Sequence, residues 1–248
     1  MAELGLVSIS FRNLSVDEIL AAVKQAGLSC VEWGSDVHAP CMDTEKLEYI
    51  AKHQQQENIR CCSYGTYFRL GVHRTEELLP YIKAAKILGT DILRLWCGDK
   101  GSAEYTAEEL EKLHEDCRAA AKFAKAHQVK LCLECHNNTL TDWKEPALAL
   151  MKAVDSSAFG MYWQPNQWRT AEENLAYIGL LAEYTEHIHV FNWKENERYP
   201  LEDGVELWKR YLAGFSGKRT LLLEFMPDDN VESLTREAQA LRKIAGEC

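Results

Sequence analysis

The chain is poor in the features that would divide it, export it or bind it to polyanions. Only 6 prolines and 14 glycines are spread over 248 residues. No tract rich in Pro, Gly or Ser offers a linker, so one domain spanning 1–248 is expected. No apolar run approaches the roughly 20 residues of a membrane span. Met1–Ser10 carries neither a basic region nor the apolar core of a signal peptide. A cytoplasmic protein with no membrane partner is therefore expected. Basic residues are also short, with 28 Lys and Arg against 38 Asp and Glu and a net charge of −10. That balance repels phosphate backbones, so no nucleic-acid partner is expected. The nine cysteines form no zinc-finger array. Cys61 and Cys62 are adjacent in an expected strand, where their side chains point to opposite faces, and the set reads as reduced thiols of a reducing compartment. A G-x-G-x-x-G dinucleotide fingerprint is absent.

What is present is a repeat of alternating elements. With 46% hydrophobic and 27% charged residues, there is ample material for a core. Short β-rich runs fall at Leu4–Ser10, Ser29–Trp33, Ile59–Tyr64, Asp91–Trp96, Lys130–Glu134, Phe159–Trp163, His187–Phe191 and Thr220–Phe225. Helical periodicity fills the gaps between them. Ser15 with Glu18, Thr106 with Glu109, and Thr170 with Glu173 have the spacing of capping boxes. Gly27 and Gly89 stand where helices should stop. Eight βα units close most economically into an α/β (β/α)8 TIM barrel; an open doubly wound sheet usually carries the missing glycine turn.

Polar side chains collect at the C-terminal ends of these strands, where barrels carry their function: Glu32, Arg94, Glu134, Gln164, His189 and Glu224. Alternation places Glu134 on the face of Cys132, His189 on that of His187, Trp96 on that of Arg94, and Glu224 on that of Leu222. Two carboxylates, an imidazole and an amide pointing into a barrel mouth are costly without a partner. One divalent metal ion held by Glu134, Gln164, His189 and Glu224 satisfies them. Such oxygen-rich ligands suit Mn, Co, Mg or Zn rather than copper or an iron–sulfur cluster. Taken singly, each of these residues is more often a salt-bridge partner or a core histidine; their convergence on strands five to eight is what favours the metal. His187, one rung deeper, reads as structural, and His53, His114 and His127 as helix-surface residues.

The segments Val31-Glu32-Trp33-Gly34-Ser35-Asp36-Val37-His38, Ser63-Tyr64-Gly65-Thr66-Tyr67, Leu93-Arg94-Leu95-Trp96, Leu133-Glu134-Cys135-His136-Asn137, Trp163-Gln164-Pro165-Asn166 and His187-Ile188-His189 carry a family resemblance. Over essentially its whole length the chain resembles the sugar phosphate isomerase/epimerase proteins of the xylose isomerase-like barrel superfamily. These include ketose 3-epimerases, hydroxypyruvate isomerase and inosose dehydratase. The resemblance implies metal ligands at a Glu, an Asp, the second His of H-x-H and a Glu on strands five to eight. Glu134, His189 and Glu224 match; Gln164 replaces the Asp, and Gln167 replaces a histidine that often follows it. It further implies that Glu134 and Glu224 move the proton next to a ketose carbonyl, through an enediolate. His38, Arg94 and His136 are candidates to orient substrate hydroxyls. Trp33, Trp96, Trp163 and Trp193 are candidate walls, and Lys194 and Arg198 could meet an acidic group. The expected activity is a sugar isomerase/epimerase with a small sugar as partner. A dehydratase using the same first step and a non-catalytic sugar-binding barrel are the rivals. A homo-oligomer is left open by the sequence.

Overall fold

The protein is described by a computed structural model covering residues 2–247; Met1 and Cys248, one of the nine thiols, lie outside the described residues. Eight parallel strands close a barrel: β1 (Glu3–Val7), β2 (Cys30–Gly34), β3 (Arg60–Leu70), β4 (Ile92–Cys97), β5 (Lys130–Glu134), β6 (Phe159–Trp163), β7 (Thr185–Val190) and, after a short hairpin, β10 (Thr220–Leu223). The hairpin pairs β8 (Trp193–Lys194) with β9 (Glu197–Arg198) in the loop that follows β7. Helices α1 (Val16–Gln25), α2 (Thr44–Gln56), α3 (Leu79–Leu88), α4 (Ala107–Ala126), α5 (Lys144–Val154), α6 (Ala171–Leu181), α7 (Val205–Leu212) and α8 (Leu234–Ala245) follow the barrel strands in turn. The eight-unit barrel expected from the strand–helix repeat is therefore the fold that forms. Among the described residues, no helix is long and apolar enough to cross a membrane.

Local chemistry explains why the helices begin and end where they do. Ser15, Thr106 and Thr170 each accept from the backbone N–H of Glu18, Glu109 and Glu173, and each glutamate reaches back to its cap. Two orphan N–H groups are thereby satisfied at each helix start. At the far end of α3, Gly89 adopts φ 82°, a left-handed cap that a side chain would strain.

Period-2 alternation splits the apolar residues into two layers. Leu131, Leu133 and their counterparts on other strands pack outward against the helices. Val7, Ile9, Cys30, Cys62, Cys132, Tyr162 and Leu222 fill the barrel interior. Cys132 and Cys135 have the C-x-x-C spacing, but Cys132 belongs to the interior layer while Cys135 packs against the outer one. An odd separation along an extended chain puts the two thiols on opposite faces, so they can neither chelate together nor pair.

Four strands depart from the sequence expectation by two residues or more, among them β10, which stops at Leu223 rather than Phe225. β1 stops at Val7, and Ser8–Phe11 turns into a short 3-10 helix that swings Arg12 to the barrel mouth. β7 begins two residues early, at Thr185. β3 runs on to Leu70 with a register break against β4: Gly65 opposes Arg94, and Arg69 already opposes Trp96. The extra residues form a bulge, closed by Thr66 Oγ1 donating to the Arg94 carbonyl at 2.9 Å, and bulges re-aim side chains at active-site rims. Here the bulge delivers Tyr67 to the cavity.

Candidate metal centre and cavity

At the C-terminal mouth of the barrel, four polar side chains from neighbouring strands meet. Glu134 ends β5, Gln164 follows β6, His189 is on β7 and Glu224 follows β10. His189 Nδ1 lies 3.3 Å from Glu134 Oε1, 3.2 Å from Gln164 Oε1 and 3.5 Å from Glu224 Oε2. Among the described residues, Glu134, His189 and Glu224 are the one trio of acidic, His or Cys side chains whose ligand atoms all lie within 4.8 Å of one another.

One ring nitrogen has at most one proton to share among three facing oxygens, so the corner is under-supplied with positive charge. A divalent ion fits it in two respects. Ligand bonds of about 2.0–2.2 Å place neighbouring donors roughly 3.0–3.5 Å apart, which is the spacing of the oxygens around Nδ1. The charge also balances. Glu32, Glu134 and Glu224 are three buried carboxylates against the single buried guanidinium of Arg94, leaving two negative charges if His189 is neutral.

Hydrogen bonds aim each donor. Glu134 Oε2 accepts from Trp96 Nε1 at 2.6 Å and from Arg94 Nη1 at 3.2 Å, which leaves Oε1 for the corner. Gln164 Nε2 donates to the Cys135 carbonyl at 3.2 Å, so the amide presents its oxygen. Glu224 accepts no side-chain hydrogen bond among the described residues, and its one charged contact within 4 Å is His189. The two glutamates therefore differ electrically. Burial raises the Glu134 carboxyl, but Arg94 and His189 outweigh it and hold the group well below the usual carboxylate range. Burial and the like charges of Glu134 and Glu32 push Glu224 up, against the pull of His189 and Arg94. Burial disfavours charge on His189, yet Glu224 and Glu32 raise its affinity for a proton well above that of a free imidazole.

A cavity of about 280 Å³ opens over this corner. One wall is aromatic and apolar, from Trp96, Trp193, Phe225 and Ile9; the other is built of amides from Asn137, Gln164, Asn166 and Gln167. Phe225 holds φ 53°, an uncommon conformation for a bulky residue, and its N–H donates to Ser10 Oγ at 2.9 Å.

The other residues singled out from sequence are dispersed. His136 is at the cavity mouth, its ring 5.3 Å from that of Trp96. Arg94 touches the cavity floor but is 1% exposed, its guanidinium donating to Glu32, Thr66 and Glu134. His38 is not brought to the cavity: it is buried, with Nδ1 3.1 Å from Ser8 Oγ and Nε2 3.0 Å from the Leu14 carbonyl. Lys194 is exposed over the Tyr199 ring, outside the lining. Arg198 lies behind the aromatic wall, 4.7 Å from the Trp193 ring and 5.0 Å from that of Phe225, and pairs with Asp229. Trp33 and Trp163 face the helices rather than the mouth. Trp33 Nε1 donates to Gln54 at 2.9 Å, and Trp163 packs on Trp208, Tyr211 and Phe215.

Arg12, Tyr67 and Phe225 line the cavity and were not singled out from sequence. Arg12 Nη2 donates to Tyr67 Oη at 2.7 Å, Arg12 Nε to Asp36 at 2.8 Å, and Tyr67 Oη to Asp36 at 3.0 Å. Tyr67 and Asp36 do fall inside the segments that carry the family resemblance, the one signal in the sequence that could have led to this cluster.

Comparison with known proteins defines the class. A family model described as xylose isomerase-like TIM barrel matches residues 20–244, and the chain belongs to that family. A 3-dehydroshikimate dehydratase of Bacillus anthracis is 26% identical over 163 residues, 61% of this chain and 57% of that protein. The match thus spans less than two thirds of the relative's length. Among solved structures, D-psicose 3-epimerase with D-tagatose from Clostridium cellulolyticum H10 superimposes with a TM-score of 0.72 at 16% identity, covering 100% of both chains. The IOLI protein with a bound zinc atom gives a TM-score of 0.78 at 15% identity, covering 100% of this chain and 99% of that one. At these identities the structural likeness speaks for the fold.

Proposed function

We infer that this protein is a divalent-metal-dependent sugar isomerase/epimerase, acting on a small ketose or related keto-polyol by removing a proton from carbon next to the carbonyl. The observation that carries this reading is the convergence of Glu134, Gln164, His189 and Glu224 on one corner beneath a half-apolar, half-amide cavity. Family membership and zinc in the IOLI protein support the same reading. Mn, Co, Mg and Zn all suit this ligand set.

A divalent ion bound by these four residues supplies Lewis-acid stabilisation of the oxygens that become anionic when the proton leaves. The chain's own residues divide the remaining work. Glu224, undressed by donors, is the group that takes and returns the proton. Glu134 is bonded twice through Oε2 and serves as an ionised ligand. The amides of Asn137, Asn166 and Gln167 hold hydroxyls, while Trp96, Trp193 and Phe225 cover the carbon face and exclude water. His136 is positioned to orient a hydroxyl at the mouth. Arg94 acts through the glutamates it holds.

The inequality of the two glutamates fits isomerisation and elimination alike, so a second reading, the dehydratase, stands beside the first. Proton return to the same face and loss of a β-hydroxyl each need a single base, whereas epimerisation needs one on each face. Similarity to a 3-dehydroshikimate dehydratase agrees with elimination. Incubation with ketoses, inososes and 3-dehydroshikimate in D2O, with each of the four metals, separates these readings by NMR. A deuterated isomer or epimer supports the isomerase, and water loss without an isomer transfers the protein to the dehydratases. Absence of solvent exchange with every substrate overturns proton abstraction.

A further inference from the structure

Beneath the metal corner lies a third buried carboxylate that none of the roles above requires. Glu32, on β2, is fully buried at 0% exposure. Its Oε2 accepts from Ser63 Oγ at 2.8 Å and its Oε1 from Arg94 Nε at 3.2 Å. The same Oε1 faces His189 Nε2 at 3.6 Å, and Nε2 is a buried polar atom with no hydrogen bond. His189 thus points Nδ1 at the three oxygens of the corner and Nε2 at a carboxylate behind it.

We propose that Glu32 is a positioning residue for the metal centre: it holds His189 as the tautomer protonated on Nε2, so that the Nδ1 lone pair is aimed at the ion. The inference rests on the metal reading given above. A ring nitrogen engaged by a cation leaves the opposite N–H more acidic, and a carboxylate behind it fixes ring rotation and tautomer together. A shift of a few tenths of an ångström closes the 3.6 Å gap to hydrogen-bond range. Arg94 performs the matching task for Glu134, fixing Oε2 and releasing Oε1. One Glu32–Arg94 pair therefore sets the direction of two of the four ligands.

The backbone has been cleared for this pair. A Cβ on Gly65 would stand 2.7 Å from Glu32 Oε1 and 2.9 Å from Arg94 Nη2. Any side chain there displaces both groups, although Gly65 contributes no polar side chain of its own. An ion pair needed for stability alone would carry no requirement that its carboxylate face a ligand's second nitrogen.

The test compares wild type, Glu32→Gln and Gly65→Ala by zinc titration calorimetry and by 15N spectra of histidine-labelled protein, with thermal melting as a control for folding. The wild type is expected to bind one zinc, with His189 metallated on Nδ1 and protonated on Nε2. Glu32→Gln is expected to lose about 10- to 100-fold in zinc affinity and to show a mixed His189 tautomer once zinc is added. Gly65→Ala should move both readouts the same way, and it carries the test if Glu32→Gln does not fold. A purely structural pair would lower the melting temperature and leave tautomer and affinity alone. Wild type that binds one zinc, with variants matching it within about twofold and showing an unchanged tautomer, overturns the role of Glu32 while leaving the metal site standing. Wild type that takes up no zinc removes the metal site, and the role of Glu32 with it.

Discussion

Gln164 stands with its amide oxygen 3.2 Å from His189 Nδ1 and its amide nitrogen donated to the Cys135 carbonyl. The orientation is imposed from behind: a backbone acceptor takes the N–H, so the oxygen has to face the corner. A neutral oxygen thus occupies the position where the family resemblance implies an Asp, and the proposed ligand set has one negative charge fewer.

Fewer charges bind a cation less tightly. Gln164→Asp should therefore strengthen zinc or manganese binding, and Gln164→Ala should weaken it by about tenfold or more, as loss of a ligand or its support commonly does. Calorimetric titration of the metal-free proteins measures both. Equal affinities for all three would mean that Gln164 is not a ligand.

Arg94 is the one guanidinium among the buried carboxylates, pairing with Glu32 and Glu134 at 3.2 Å each. Arg94→Met deprives both carboxylates of that counter-charge. Breaking a buried pair by deleting one partner costs about 3–5 kcal/mol. Urea denaturation should show a loss of that size, whereas the charge-conserving Arg94→Lys should lose less. A loss below about 1 kcal/mol for Arg94→Met would mean that water reaches the site and screens it.

The sequence was legible wherever one local rule decided the outcome. Ser15, Thr106 and Thr170 announced their helices because a cap and its glutamate interact within one turn. Glu134, His189 and Glu224 announced their convergence because strand alternation fixes which face a side chain takes. Trp33 and Trp163 were not legible in this way, because an aromatic side chain suits a barrel rim and a helix-facing layer equally. The bulge in β3 was hidden as well: it arises from a mismatch with β4, and pairing between strands is not written within either one. Arg12 reaches the mouth only because β1 ends early in a 3-10 turn.

His38 illustrates the cost of reading a polar residue without its neighbours. It bridges Ser8 Oγ and the Leu14 carbonyl as a buried group, and burial depresses its pKa below that of a free imidazole. The unfolded chain then binds the proton more readily than the folded one, so stability from this site is present above the unfolded pKa and is lost as pH falls toward the folded value. His38→Asn should cost about 1–2 kcal/mol at pH 8 through lost hydrogen bonds, and less at pH 5. Denaturation at the two pH values checks this. Turnover at saturating metal and substrate should be unchanged, and a large loss of kcat would place His38 in the chemistry after all.

The proposed division of labour between the two glutamates can be tested from outside the pair. Trp96 Nε1 reaches Glu134 Oε2 at 2.6 Å, so Trp96→Phe removes one of the two donors to that oxygen, and a donor to a carboxylate favours its charged form. A Glu134 that carried the proton would become a better base, and solvent exchange into substrate would speed up. With Glu224 as the carrier, Trp96→Phe should slow exchange by less than about tenfold, through looser binding. Glu224→Gln keeps an oxygen for the metal but cannot accept the proton, so exchange should fall by about 10²- to 10⁴-fold with zinc still taken up. Deuterium incorporation measured by NMR on both variants decides the assignment. Faster exchange in Trp96→Phe, together with surviving exchange in Glu224→Gln, would give the role to Glu134.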